Sequence, residues 1–155
     1  MKKILVIGAG RSSSTMIKYF LDHSSEFNWR VRVGDMDLSA AKEKTGNHSN
    51  SETVQFDALN PNERAKEIEN ADIVISMLPA RFHIEVVKDC IAFKKDVITP
   101  SYITEEMKQL NDQVIDAGII AMNEMGLDPG IDHMSAMKIL DEIEEEGGKV
   151  RGFES

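Results

Sequence analysis

A short apolar segment that runs directly into a glycine-rich turn constrains the fold of this chain more than any other feature. Residues 4–7 are all apolar, which is typical of a strand buried on both faces of a parallel sheet. The glycines allow a close approach of the backbone to a phosphate, and the helix that follows offers free N–H groups. The residues of this turn that we expect to form part of the cofactor-binding site are Gly8, Gly10, Arg11, Ser12 and Ser13.

The turn departs from the pattern Gly-x-Gly-x-x-Gly at its third position, which is Ser13. A small side chain still permits close packing of helix on strand, so the variant fits a dinucleotide-binding turn. The pattern by itself is weak evidence, and the rest of the chain must supply the other parts of such a site.

An acidic residue at the end of the second predicted strand supplies one of those parts. Asp35 follows Gly10 by 25 residues, near the spacing of about 20 at which a carboxylate binds the ribose hydroxyls of a dinucleotide. A carboxylate there would repel a 2′-phosphate, so Asp35 favours NAD over NADP. Acidic residues also cap helices, and Asp37 suits that role for the helix predicted from Leu38.

Strands and helices alternate along the whole chain. The predicted strands cover residues 4–7, 28–35, 53–56, 71–79, 96–99 and 119–122. The predicted helices cover residues 12–23, 38–45, 61–70, 82–93, 104–117 and 131–146. This alternation predicts an α/β protein of three α/β/α layers, a Rossmann-type doubly wound parallel sheet with strand order 3-2-1-4-5-6.

Residues that follow the third, fourth and fifth strands are further candidates for the cofactor crevice, since ligands bind beyond the carboxyl ends of such strands. Asp57 and Ala58 follow the third strand and reach the adenine edge, although a surface turn explains Asp57 nearly as well. The nicotinamide side is expected to be lined by Ser76, Met77, Leu78 and Pro79. The fifth strand delivers Ser101 and Tyr102 to the same crevice.

Two residues of the helix over 82–93 could carry chemistry, but neither is expected to. Cys90 shares an apolar face with its neighbours and is expected in the core. His83, in the first turn, lies near the cofactor crevice, but we expect it to face solvent.

Composition narrows the classes of partner. Acidic residues outnumber basic ones by 27 to 18, a net charge of −9, so nothing attracts a nucleic acid or an anionic membrane. No segment has the length or pattern of a membrane span or signal peptide, and we expect a cytoplasmic protein. One cysteine cannot form an intramolecular disulfide, and the four histidines show no metal-ligand spacing.

Three segments of the second half are similar to the N-terminal nucleotide-binding domain of the saccharopine dehydrogenase family, the L-glutamate-forming type also called saccharopine reductase. These segments cover residues 75–79, 99–103 and 123–133, and the last contains the distinctive string Gly-Leu-Asp-Pro-Gly-Ile-Asp-His. The resemblance extends over essentially the whole chain.

This resemblance implies an enzyme of lysine metabolism that oxidises saccharopine, with a nicotinamide cofactor, to an imine that water splits into glutamate and aminoadipate semialdehyde. It implies that Ser101, Tyr102 and Asp128 contact this small amino-acid substrate, and that Leu127 with Ser101 borders the nicotinamide. Asp128 suits a substrate ammonium and Tyr102 a substrate carboxylate. Neither has an unperturbed pKa near neutrality, so these candidate catalytic residues are expected to position the substrate first, with proton transfer through water.

The resemblance also implies a second domain, which supplies much of the substrate site and the contact of a homodimer in the full-length protein. We expect residues 1–148 to form the nucleotide-binding domain and residues 149–155 to begin the second, as a strand that is cut short. Two alternatives stay open: an enzyme similar to carboxynorspermidine dehydrogenase, and a non-catalytic module that senses nucleotides.

Overall fold

Six parallel strands form the central sheet of the computed structural model, which describes residues 1–154. The strands are β1 (Lys2–Ile7), β2 (Trp29–Asp35), β3 (Ser51–Gln55), β4 (Ile73–Ser76), β5 (Asp96–Ile98) and β6 (Ala121–Met122). They pair side by side in the order β3-β2-β1-β4-β5-β6, and every pairing is parallel. The doubly wound order predicted from the alternation is therefore confirmed.

Helices connect consecutive strands and cover both faces of the sheet. The helices are α1 (Ser14–Asp22), α2 (Leu38–Thr45), α3 (Pro61–Glu69), α4 (His83–Phe93), α5 (Glu105–Lys108), α6 (Asn111–Ala117) and α7 (Ile131–Glu145). Short 3-10 turns, Arg11–Ser13 and Ala80–Phe82, precede α1 and α4. None of the helices within residues 1–154 has both the length and the apolar character that crossing a membrane requires.

Two apolar clusters lie on opposite faces of the sheet, because successive side chains of a strand point to opposite sides. Ile4 and Val6 pack with α1 and α2 on one face, whereas Leu5 and Ile7 pack with α3, α4 and α6 on the other. Cys90 is buried in the second cluster, as predicted. The central strand β1 is thus buried on both faces, which accounts for its uninterrupted apolar sequence.

Four predicted elements differ clearly from the structure. The fourth strand, predicted over residues 71–79, covers only Ile73–Ser76, and a 3-10 turn already begins at Ala80. The helix expected over 104–117 is two helices, because the Leu110 N–H donates to the Met107 carbonyl and tightens the chain between α5 and α6. The sixth strand is only two residues long, and the preceding Ile120 N–H donates to the Asp96 side chain instead of to a strand. Residues 148–154 form no strand, so that expectation is wrong for them, and Ser155 lies outside the described residues.

The sheet order reverses between β1 and β4, which are neighbours although two strands separate them in sequence. Ligands of open parallel sheets bind beyond the carboxyl ends of the strands at such a point. The loops that leave β1, β2, β4 and β5 meet there, and they carry most of the candidate site residues.

Candidate cofactor and substrate crevice

The glycine-rich turn has the geometry of a phosphate cradle. Gly8 adopts φ +107°, and a Cβ there would lie 3.0 Å from the Met77 carbonyl oxygen of the neighbouring loop. Gly10 is exposed, and a Cβ on it would meet no atom within 4 Å, so the space beside it is open to a ligand. Within residues 1–154 no side chain caps the 3-10 turn at Arg11–Ser13, so its first N–H groups stay available to an anion.

Ser13 is fully buried at the position where the common pattern has a third glycine. Its N–H and its hydroxyl both donate to the Gly10 carbonyl, at 3.2 and 2.8 Å. Ser13 therefore shapes the turn from its inner side, and Arg11 and Ser12 are the exposed residues.

The Asp35 carboxylate ties the end of β2 to the glycine turn. One oxygen accepts from the Ala9 N–H at 2.7 Å, and the other accepts from the Asp37 N–H at 2.9 Å. Asp37 caps α2 by accepting from the Ser39 N–H at 2.8 Å, as predicted. Each carboxylate oxygen of Asp35 has a further lone-pair direction for a ribose hydroxyl.

A cavity of about 250 Å³ opens beside these residues, at the carboxyl ends of β1, β2 and β4. Its lining includes the predicted cofactor residues Gly8, Asp35, Asp57, Ala58, Leu78 and Pro79. The sequence reasoning missed the residues Gly34, Met36, Phe56, Leu59 and Phe82, which also line the cavity. This arrangement fits an adenosine half-site, with mostly apolar walls and two carboxylates, Asp35 and Asp57.

Gly34 and Phe56 explain the shape of that cavity. A Cβ on Gly34 would overlap the Phe56 ring, so the glycine lets the ring pack directly against β2. Asp57, next in sequence, lines the cavity, and its carboxylate accepts from the Leu59 N–H at 2.8 Å in a surface turn. The contact of Asp57 with an adenine stays a prediction.

His83 is buried, only 2% exposed, and the expectation that it faces solvent is wrong. The 3-10 turn before α4 directs the ring inward, where Nδ1 lies 2.9 Å from Ser76 Oγ and Nε2 lies 2.9 Å from Ser101 Oγ. Burial lowers the pKa of His83, so the ring is neutral at neutral pH. A hydrogen-bond chain thus links the ends of β4 and β5.

Tyr102 and Asp128 meet where the loops that follow β5 and β6 come together. The Tyr102 hydroxyl donates to Asp128 Oδ1 at 2.6 Å, although the two residues are 26 positions apart. The hydrogen bond to Asp128 raises the pKa of Tyr102 to about 12, so the phenol is protonated at neutral pH. Both residues are exposed, Tyr102 to 57%.

Backbone hydrogen bonds fasten the loop that carries Asp128 to the loop after β5. The Glu124 N–H donates to the Ser101 carbonyl at 3.0 Å, and the Met125 N–H donates to the Thr99 carbonyl at 3.1 Å. A Cβ on Gly126 would lie 2.9 Å from the Pro100 carbonyl oxygen, so this glycine permits the close contact. The distinctive glycine-proline string therefore places Asp128 within reach of Tyr102.

The remaining candidates lie at the rim. Leu127 is 74% exposed and Met77 half-buried, and neither lines the cavity beside Gly8 and Asp35. Asp128, Asp132 and His133 bring potential ligand atoms within 4.8 Å of one another. Asp132 already accepts from the Gly130 N–H and pairs with His133, which raises the pKa of His133. We assign no metal to these residues, which lie at the surface and partner one another.

Strand order, glycine turn, cavity and crevice together define a dinucleotide-binding domain of the Rossmann type. The sequence model of the family described as "Saccharopine dehydrogenase NADP binding domain" matches residues 4–122. The chain belongs to this family, and the fold serves a nicotinamide dinucleotide.

Known proteins similar to the chain agree with this assignment. It is 36% identical over 152 residues to the saccharopine dehydrogenase [NADP(+), L-glutamate-forming] of Saccharomyces cerevisiae, an alignment that covers 98% of the chain and 33% of the yeast protein. It is 39% identical over 156 residues to the mitochondrial alpha-aminoadipic semialdehyde synthase of Bos taurus, covering 99% of the chain and 16% of the bovine protein. A solved structure of the apo yeast dehydrogenase superimposes with a TM-score of 0.86 at 35% identity, over 98% of the chain and 33% of that protein. The chain therefore spans about a third or less of the length of these relatives.

Proposed function

We propose that the protein oxidises saccharopine to glutamate and aminoadipate semialdehyde, with this chain binding the nicotinamide cofactor and one end of the substrate. The observation that carries the proposal is the Tyr102–Asp128 hydrogen bond, held beside a dinucleotide crevice by the loop at residues 123–130. Relatives that are similar over the whole chain carry the name saccharopine dehydrogenase, which supports the same reading.

Asp128 is the residue that we assign to the substrate amine. Its carboxylate is exposed, and the oxygen that does not bind Tyr102 is free to accept from a cationic nitrogen. The Tyr102 hydroxyl holds the carboxylate in place and stays protonated, so Tyr102 is a donor and not the base. A substrate carboxylate can therefore bind the Tyr102 hydroxyl only if it replaces Asp128 as the hydrogen-bond acceptor. The proton of the substrate amine is transferred to Asp128 or to water. When bound, the nicotinamide would supply the acceptor for the hydride that leaves the oxidised C–H bond.

The cofactor that we propose is NAD. Asp35 brings a carboxylate to the ribose side of the cavity, and none of the four residues that follow it, Met-Asp-Leu-Ser, offers a cation to a 2′-phosphate. The description of the family and the name of the yeast relative mention NADP. Asp35 is the feature of this chain that argues against that preference.

Turnover of saccharopine by the full-length protein tests the function. We expect NADH to form with saccharopine and NAD, and Asp128→Asn to lower kcat/KM on the order of 100-fold, because a charge that faces a cationic amine is lost. Asp116→Asn, at an exposed carboxylate of α6, is the matched control and leaves kcat/KM unchanged.

Two outcomes of that assay would replace the proposal. Turnover of carboxynorspermidine but not of saccharopine would make the protein a different secondary-amine dehydrogenase. Tight dinucleotide binding with turnover of neither substrate would make it a nucleotide-sensing module.

A further inference from the structure

The hydrogen-bond chain that runs from Ser76 through His83 to Ser101 has no role in the function proposed above. Ser76 and His83 are buried, and Ser101 is half-buried at the crevice. Both ring nitrogens lie 2.9 Å from a serine hydroxyl. A neutral imidazole donates from one nitrogen and accepts at the other, so the chain has two possible directions.

Burial of Ser76 selects one direction. Within residues 1–154, the only hydrogen-bond partner of the Ser76 hydroxyl is His83 Nδ1. If Nδ1 carried the proton, the Ser76 hydroxyl would accept and its own proton would be left buried without an acceptor, which costs about 1–3 kcal/mol. With the proton on Nε2, Ser76 donates to Nδ1, and each polar side-chain atom of Ser76 and His83 has a hydrogen-bond partner.

This direction fixes the role of Ser101. We propose that His83 is a positioning residue: its Nε2–H holds the Ser101 hydroxyl oxygen and leaves the Ser101 proton free to donate into the crevice. Ser101 then offers a directed donor to an acceptor oxygen of the bound ligand, and it does so from the loop that also carries Tyr102.

The ligand chemistry is an oxygen without a proton, either the carboxamide oxygen of a nicotinamide or a carboxylate oxygen of an amino-acid substrate. This identification rests on the proposed function, whereas the direction of the hydrogen-bond chain does not. Loss of the Ser101 donor distinguishes the two ligands. If Ser101 binds the nicotinamide carboxamide, the affinity for the cofactor falls. If Ser101 binds a substrate carboxylate, only KM for the substrate rises.

The direction is measured by long-range ¹H–¹⁵N correlation of the histidine side chains at neutral pH, with His83→Gln used to assign the His83 signals. We expect a neutral ring with its proton on Nε2. A proton on Nδ1, or on both nitrogens, would overturn the inference. Because this measurement needs no substrate, it stays valid if saccharopine is not turned over.

Paired substitutions separate positioning of Ser101 from mere filling of the site. Gln places an amide donor near the Nε2 position, whereas Asn reaches only the Nδ1 position. We expect His83→Asn to weaken cofactor binding or raise KM about tenfold, as expected for one lost hydrogen bond, while His83→Gln changes them less than about threefold.

Ser101→Ala should change cofactor affinity or KM as much as His83→Asn does. The double variant should show no larger change than either single variant, because His83 acts through Ser101. Equal effects of Asn and Gln, additive effects in the double variant, or unchanged affinity and KM in all of these variants would each contradict the positioning role.

Discussion

Two glycines of the crevice serve different purposes, and single substitutions distinguish them. Gly10→Ala adds a Cβ in open space, whereas Gly34→Ala drives a Cβ into the Phe56 ring. We expect Gly34→Ala to lower the free energy of unfolding by about 1–3 kcal/mol, the usual cost of overpacking.

Gly10→Ala should leave that free energy nearly unchanged and weaken dinucleotide binding about tenfold or more, because the methyl group occupies the approach of the phosphate. Urea unfolding and calorimetric titration measure the two quantities. Gly152→Ala, which also meets nothing within 4 Å, is the control that alters neither. A Gly10→Ala protein that binds the dinucleotide as well as the parent would contradict the phosphate assignment.

Burial of His83 predicts a dependence of stability on pH. The unfolded chain takes up a proton near the ordinary histidine pKa of about 6.5, but the folded chain does so only at lower pH, since burial lowers the pKa of His83. The contribution of the neutral ring is therefore full above pH of about 6.5 and is lost as pH falls through the lowered pKa. Urea unfolding between about pH 8 and pH 5 should show a steeper loss for the parent protein than for His83→Gln. Equal slopes would show that the ring titrates freely.

His83 also shows where prediction from sequence failed at this scale. A histidine at the start of a helix is usually exposed, and the pattern of the helix does not reveal that the preceding turn, Ala80–Phe82, directs this ring inward. Gly34 was missed for a similar reason, since its need arises from Phe56 on a neighbouring strand.

At the scale of the elements, Arg64 joins α3, α4 and the loop after β3. The side chain is buried, and its Nε lies 2.7 Å from Asp89 Oδ2 while Nη1 donates to the Ala58 carbonyl at 2.8 Å. We expect Arg64→Ala to lower the free energy of unfolding by about 3 kcal/mol, because a buried partner of an ion pair is removed.

Lys88→Ala, which breaks an exposed pair with Glu85, is the control and should cost less than about 1 kcal/mol. Similar small losses for both variants in urea unfolding would mean that Arg64 does not hold the elements together.

Elements were easiest to predict where one local pattern decides them. Helix α2 has the predicted bounds, since the Asp37 cap and Gly46 mark its two ends. The long helix over 104–117 and the sixth strand were predicted less well, because their ends depend on contacts of Leu110 and Asp96 with other backbone groups.

At the scale of the whole molecule, strand order followed from the alternation of strands and helices together with the glycine turn. The hydrogen bond between Tyr102 and Asp128 did not follow from spacing, and the resemblance to a known family implied only that both residues contact the substrate. The structure supplies the physical reason: Gly126 lets the later loop pack against Pro100, which brings positions 26 residues apart into one hydrogen bond.

The central claim is that the crevice at the reversal of the sheet binds a nicotinamide dinucleotide and that Asp35 selects NAD. Calorimetric titration of the 155-residue chain with NADH and NADPH tests it most directly, with Asp35→Asn as the matched variant. We expect the parent chain to bind NADH at least about tenfold more tightly than NADPH, and Asp35→Asn to narrow that ratio, because the charge that repels a 2′-phosphate is gone. Equal or tighter binding of NADPH by the parent chain would contradict the role of Asp35, and binding of neither dinucleotide would contradict the assignment of the crevice.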